Sequence, residues 1–152
     1  MGRILGIDYG SHRVGIAVSD PSRTISQPLM TLINDDQLMK RLLEIIDSYE
    51  VEELVVGEPR TLKGELGQSA EEVHEFVFKI RESCGIPVKL WDERLTSVQA
   101  RLSMLQMGLK KKQRAQKATV DKVAAALLLQ NYLDALQMAE DPSSNNESAK
   151  HE

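Results

Sequence analysis

The chain alternates between short apolar runs and longer helical stripes, and this pattern predicts most of its elements. Residues 3–8 form an apolar run that ends in Asp8. Across residues 13–19, Val14, Ile16 and Val18 alternate with Gly15, Ala17 and Ser19, the period of a strand. The two runs flank Tyr9-Gly10-Ser11-His12 and predict a β-hairpin, or a near-hairpin with Gly10 in its turn. Asp20-Pro21-Ser22 reads as a turn. A third strand is expected within residues 24–32, limited by Pro28, which cannot donate to a ladder.

Asn34-Asp35-Asp36 offers helix caps, and Leu38, Leu42, Ile45, Ile46 and Tyr49 follow on one helical face. Leu54-Val55-Val56 marks a buried strand over residues 53–57, and a glycine-bearing polar loop follows over residues 61–67. A second helix is predicted over residues 69–83, with Val73, Phe76, Val77 and Ile80 on one face. Residues 86–90 read as a strand, 96–107 as a helix stopped by Gly108, 110–117 as a basic loop and 119–138 as the last helix. Three strands followed by alternating helices and strands predict an α/β fold, a mixed sheet with helices on its faces.

Composition narrows the class. The 152 residues suit one domain, placed at 1–139, and the polar, aperiodic and acidic segment 140–152 is expected to be a disordered tail. With 41% apolar and 28% charged residues, a soluble globular chain is expected. No apolar run approaches the roughly 18 residues of a membrane helix. The single cysteine, Cys84, allows no internal disulfide, and the N-terminus enters a strand-like run with no signal peptide, so a reducing, cytoplasmic location is expected. The net charge of −4 hides an asymmetry: Lys110, Lys111, Lys112, Arg114, Lys117 and Lys122 lie close together, opposed there only by Asp121. Such a stretch can hold a polyanion locally, whereas the acidic mean argues against a protein that coats nucleic acid along its length. Aromatic residues make up only 4%, which argues against a base-stacking platform.

Acids at the ends of elements carry the candidate chemistry. Asp8 closes a run of buried type, where an ionised carboxylate needs a cation or a cluster of donors; turn N–H groups at residues 9–11 are the structural alternative. Asp92-Glu93-Arg94 follows a strand directly, the place where open α/β sheets put their sites, although a charged turn capping the next helix has the same appearance. Asp121 opens the last helix, where an acid complements the helix dipole, but Ala124-Ala125-Ala126 would let that helix lie close to a sheet. Taken together, three hard oxygen ligands suit Mg²⁺ or Mn²⁺ rather than zinc, and no cysteine and histidine set competes. Carboxylates with open coordination positions fit hydrolysis of a phosphodiester by two metal ions.

Five blocks occur in order: Gly6-Ile7-Asp8-Tyr9-Gly10, Arg13 to Asp20, Val55-Val56-Gly57-Glu58-Pro59, Asp92-Glu93-Arg94-Leu95-Thr96 and Asp121-Lys122-Val123-Ala124-Ala125. With them the chain resembles the YqgF family of bacterial proteins, described both as pre-16S rRNA nucleases and as Holliday junction resolvases. The resemblance spans residues 3–138. It implies an RNase H-like fold with a five-stranded mixed sheet, strand order 3-2-1-4-5, flanked by helices. It also implies that Asp8, Glu93 and Asp121 are the catalytic and metal-binding triad. Asp8 would bridge two ions, Glu93 would hold one or orient water, and Asp121 would complete the oxygen donors.

The expected activity is metal-dependent endonucleolytic processing of the 5′ end of precursor 16S rRNA during ribosome biogenesis. The expected partner is structured RNA, with branched DNA as the alternative, no membrane, and a monomer or weak dimer as the assembly. Arg13, Arg94, Lys110, Lys111, Lys112, Arg114 and Lys117 are the candidate nucleic-acid contacts, positioning phosphates without reading sequence. Arg13 has the alternative of pairing with Asp20 or another carboxylate, and Arg94 that of bracing Glu93. Glu58 departs from the apolar residue usual in the family and is read as an exposed strand-end charge in preference to a fourth acid. Trp91 is read as core. A non-catalytic nucleic-acid-binding protein and an ATP binder of the sugar-kinase kind are the rivals from other classes, the latter short of a second lobe.

Overall fold

The computed structural model describes residues 2–58, 68–92 and 117–140. Its strands are β1 (Arg3–Tyr9), β2 (Arg13–Ser19), β3 (Ser26–Ile33), β4 (Val51–Glu58) and β5 (Val88–Asp92). Its described helices are α1 (Leu38–Ser48), α2 (Gln68–Cys84) and α3 (Lys117–Glu140). The strands form one sheet in the order β3-β2-β1-β4-β5. β1 pairs antiparallel with β2 and β2 with β3, while β1–β4 and β4–β5 are parallel. This is the mixed sheet and strand order that the resemblance implies. The expected helix at 96–107, the loop at 61–67 and the tail beyond Glu140 lie outside the described residues.

Period-two alternation divides the sheet into two faces. Leu5, Ile7, Val14, Ile16, Leu54 and Val56 join Leu38, Leu42 and Ile45 of α1 and Val73, Phe76, Val77 and Ile80 of α2 in one core. Ile4, Ala17 and Val55 face the other way, onto Ala125, Leu129, Tyr132 and Leu133 of α3. On α3 the buried positions Ala125, Leu128, Leu129, Tyr132 and Leu133 recur at the three- and four-residue steps of one helical face.

Local chemistry explains several boundaries. Pro28 sits on the edge strand β3 beside a register shift, with Ala17 opposite Pro28 and Ile16 opposite Met30, so the bulge absorbs the missing donor. α1 starts later than its cap candidates suggest. Gln37 occupies the cap position without a side-chain cap bond, while Asp35 Oδ1 accepts from the Gln37 N–H at 2.9 Å. α1 ends where Glu50 adopts φ 53°, and the Glu50 carbonyl then accepts from the Arg3 N–H at 3.2 Å to start β1 beside β4. At the start of the sheet, the buried Ser19 hydroxyl accepts from the Ile4 N–H at 2.8 Å.

Candidate active site

The hairpin between β1 and β2 builds the first half of the site. Gly10 lies so close to the Arg13 carbonyl that an added Cβ would stand 2.5 Å from its oxygen. Asn34 Nδ2 donates to the Gly10 carbonyl at 2.8 Å and ties the turn to the end of β3. Beyond the turn, Tyr9 stacks on Phe76 of α2 at 4.4 Å between ring centroids, on the α1/α2 face. Asp8, one residue earlier, belongs by alternation to the α3 face, in line with Ile4 and Gly6, and is half-buried.

α3 brings the second half. Asp8 lies directly opposite Gly15 on β2. A Cβ on Gly15 would stand 2.0 Å from the Asp121 carbonyl oxygen, so only a residue without a side chain lets α3 lie at this distance. Two residues along the strands, a Cβ on Gly6 would stand 2.8 Å from Leu129 Cβ and 3.1 Å from the Ala125 carbonyl oxygen. These two glycines and Ala17 make a floor on which the Ala124-Ala125-Ala126 stretch of α3 rests. Gly15 thereby adjoins both, Asp8 as its partner across the hairpin and Asp121 through the carbonyl that α3 lays over it.

Arg13, the first residue of β2, also lies on this face. Its Nε donates to Asp121 Oδ2 at 2.8 Å, with the Arg13 and Asp121 side chains 37% and 23% exposed. The alternative pairing with Asp20 does not occur. Asp20 instead closes its own turn, accepting from the backbone N–H groups of Thr24 and Ile25 and from the Ser22 hydroxyl. The Ile25 N–H, then the Ser22 hydroxyl and the Thr24 N–H, hold the Asp20 carboxyl down at about 2.

Four expectations are corrected or bounded. Asp121 does not open its helix: α3 begins at Lys117, Asp121 is its fifth residue, and the first turn holds no acid. Dipole complementation in the first turn is therefore not its role, and Lys117 belongs to the helix rather than to a preceding loop. Glu58 is not an exposed charge. It is 8% exposed, faces α2 rather than α3, and its Oε2 lies 2.5 Å from His74 Nε2. It is therefore not a fourth acid beside Asp8 either. Glu93, Arg94, Lys110, Lys111, Lys112 and Arg114 lie outside the described residues. Trp91 packs with the α3 core, its ring edge-on to Tyr132 at 5.2 Å and 82°.

The donor set agrees in kind with the divalent metal that the fold implies. Asp8 and Asp121 offer hard carboxylate oxygens on one face. Among the described residues no group of three acids, histidines or cysteines is close enough to hold an ion, and Glu93, the third acid that the resemblance implies, lies outside them. Deeper under α3, burial and then the Glu53 carboxylate push the Tyr132 phenol above its ordinary range, so it stays protonated and donates to Glu53. That bond anchors α3 to β4 away from the reactive end.

The sheet order, with one carboxylate on the first strand and another on the closing helix, defines the RNase H-like class. A family model described as "RuvX: Holliday junction resolvase" matches residues 2–135, and the chain belongs to this family, the one met above as YqgF. A Clostridium acetobutylicum protein described as "Putative pre-16S rRNA nuclease" is 41% identical over 136 residues, 88% of this chain and 99% of its own. A Clostridium botulinum protein of the same description is 43% identical, over 88% of this chain and 98% of its own. The fold is also shared with Thermus thermophilus RuvC solved with a Holliday junction substrate. That match has a TM-score of 0.56 and 19% identity, over 90% of this chain and 96% of that one. No described helix is long and apolar enough to cross a membrane.

Proposed function

We propose that the chain is a divalent-metal-dependent endonuclease that trims the 5′ end of precursor 16S rRNA, acting in the cytoplasm as a monomer or weak dimer. One observation supports the reading: α3 brings the Asp121 backbone against Gly15, the residue that pairs with Asp8 across β1 and β2, in a chain whose relatives at 41–43% identity are described as pre-16S rRNA nucleases. Two ions of Mg²⁺ or Mn²⁺ would be held by Asp8, Asp121 and Glu93 and would supply charge neutralisation at the scissile phosphate and an acidified water.

The rest of the work falls to the chain itself. Asp8, fixed on a strand inside the sheet, and Asp121, on a helix pinned at Gly15, keep their oxygens in place with little reorganisation. Arg13 supplies a cation at the mouth of the site for a backbone phosphate, and the basic residues Arg94, Lys110, Lys111, Lys112, Arg114 and Lys117 extend that field along the nucleic acid. Resolution of four-way DNA junctions is the second reading, favoured by the description of the family model.

The test is cleavage, with Mg²⁺ or Mn²⁺, of a 5′-extended 16S rRNA precursor, an unrelated RNA and a four-way DNA junction, with Asp8→Asn alongside. Cutting of the precursor by the wild type alone is expected. Symmetric junction cutting would move the assignment to the second reading. Binding without cutting, unchanged in Asp8→Asn, would leave a nucleic-acid-binding protein and overturn the nuclease.

A further inference from the structure

The Arg13–Asp121 contact joins two groups that the proposed reaction needs separately. Asp121 is wanted as a metal ligand and Arg13 as a phosphate contact, yet Arg13 Nε occupies Asp121 Oδ2 at 2.8 Å. A guanidinium on a ligand carboxylate opposes metal binding twice. It uses one of the oxygens, and its positive charge repels a divalent cation arriving at the other.

The two partners differ in how free they are to move. The Asp121 backbone is held, because its carbonyl oxygen already lies where a side chain on Gly15 would be. Arg13 reaches it with a long, flexible side chain from the first position of β2, next to the turn, and is 37% exposed. The bond is a single one through Nε rather than the two-pronged fork of the strongest arginine–carboxylate pairs. A half-exposed pair of this kind is cheap to break. The terminal guanidinium nitrogens make no other hydrogen bond among the described residues, and they present the fork that suits two phosphate oxygens. When Arg13 turns to a phosphate, Asp121 Oδ2 loses its guanidinium partner and becomes available to a cation.

We propose that Arg13 is a phosphate-released latch on Asp121: it lowers metal affinity in the free protein and gives up the carboxylate when a nucleic-acid phosphate takes its guanidinium, so that metal loading follows substrate. The inference rests on the proposed metal-dependent nuclease reading. Because binding couplings are reciprocal, metal also raises nucleic-acid affinity by the same factor that nucleic acid raises metal affinity.

The experiment measures Mn²⁺ binding by calorimetry and by the Mn²⁺ paramagnetic signal, with and without a short phosphorothioate RNA duplex that resists hydrolysis. Wild type, Arg13→Gln and Asp121→Asn are compared. In the wild type the duplex is expected to tighten Mn²⁺ about tenfold, a coupling of about 1.4 kcal/mol. Arg13→Gln is expected to bind Mn²⁺ alone about tenfold more tightly than the wild type, and to lose the coupling. If Asp121→Asn weakens Mn²⁺ binding but Arg13→Gln leaves affinity and coupling unchanged, the latch is overturned while the metal-site reading stands. If Asp121→Asn leaves Mn²⁺ binding unchanged, Asp121 is not a ligand and both fail. The wild type gives an independent check through the NMR signal of the Arg13 Nε–H. That signal is expected to move when the RNA duplex is added, and to hold its position with Mg²⁺ alone at the concentration that saturates the duplex complex. Movement with Mg²⁺ alone, or no movement in either case, overturns the latch.

Discussion

On the face of the sheet covered by α1 and α2, β1 and β2 present Leu5, Ile7, Val14 and Ile16, all fully buried. On the face under α3 the same two strands present Ile4, Gly6, Asp8, Arg13, Gly15 and Ala17. The first face is filled there by large apolar side chains that exclude water. The second is low, with its helix drawn down onto glycines, and its polar residues collect at the end where β1 stops and α3 begins. On the proposed reading, stability and chemistry fall on opposite sides of one strand, and residues that are neighbours in sequence serve different ends. The same division separates Asp8 from Tyr9, one aimed at α3 and the other stacked on Phe76.

The sharpest way to break this comparison is to change Asp8 and Ile7 in turn. Asp8→Asn is expected to lower kcat/KM for precursor cleavage by more than about 100-fold, beyond the loss typical of groups standing behind metal ligands. Its stability should shift by no more than about 1 kcal/mol. Ile7→Ala should do the reverse. Chemical denaturation should reveal a loss of about 2–5 kcal/mol, as for other buried Ile truncations. The fraction that remains folded should cleave at the wild-type rate. A reversal of either result would show that the faces are not divided as described.

Gly15→Ala tests whether closeness of α3 is what assembles the site. A methyl group 2.0 Å from the Asp121 carbonyl oxygen must push helix and sheet apart. Overpacking of this kind costs about 3 kcal/mol, and a displacement of about 1 Å at Asp121 would reduce kcat by about 100-fold. Gly6→Ala meets Leu129 Cβ at 2.8 Å, deeper under the helix, and should cost about 1–2 kcal/mol in denaturation with a smaller effect on kcat. Equal loss of activity in the two variants would mean that the whole helix, rather than its beginning, sets the geometry.

The smallest effect is expected at the opposite end of β2, where Asp20 organises a turn remote from both Asp8 and Asp121. Its carboxyl is lowered to about 2 in the folded protein, against about 3.9 in an unfolded chain. The bonds it accepts therefore contribute fully above pH of about 4 and are lost as pH falls through about 2. Thermal unfolding of Asp20→Ala should begin at lower temperature than the wild type near neutral pH, and the gap should close across that acid window. A gap that does not change with pH would mean that the turn does not depend on the ionised carboxylate.

Much of this architecture was legible in the chain because it is local. The alternation of Val14, Ile16 and Val18 with Gly15, Ala17 and Ser19 predicts both the strand and its two unlike faces, and the observed β2 spans the same residues. The stripes on α1 and α2 were equally plain, since burial on one side writes a helical period into nearby positions. Asp8 stood out as an acid ending an apolar run. The exposed reading of Glu58 fails for a physical reason: a strand-end acid looks the same in sequence whether it meets water or a histidine side chain. His74 lies on another element, with nothing local to link the two.

What the sequence determined by itself is the described strands and helices, their buried sides and the kinds of group available for chemistry, because propensity and periodicity act between residues a few positions apart. The five motif blocks carried the resemblance from which the strand order followed. Only the tertiary structure decided which side of the sheet each acid serves and which cation answers it. Arg13 meets Asp121 across 108 residues, and that meeting exists because Gly6 and Gly15 leave room for α3 to settle on the sheet. A contact of that length is set by the fit of packed surfaces, and no local pattern encodes it.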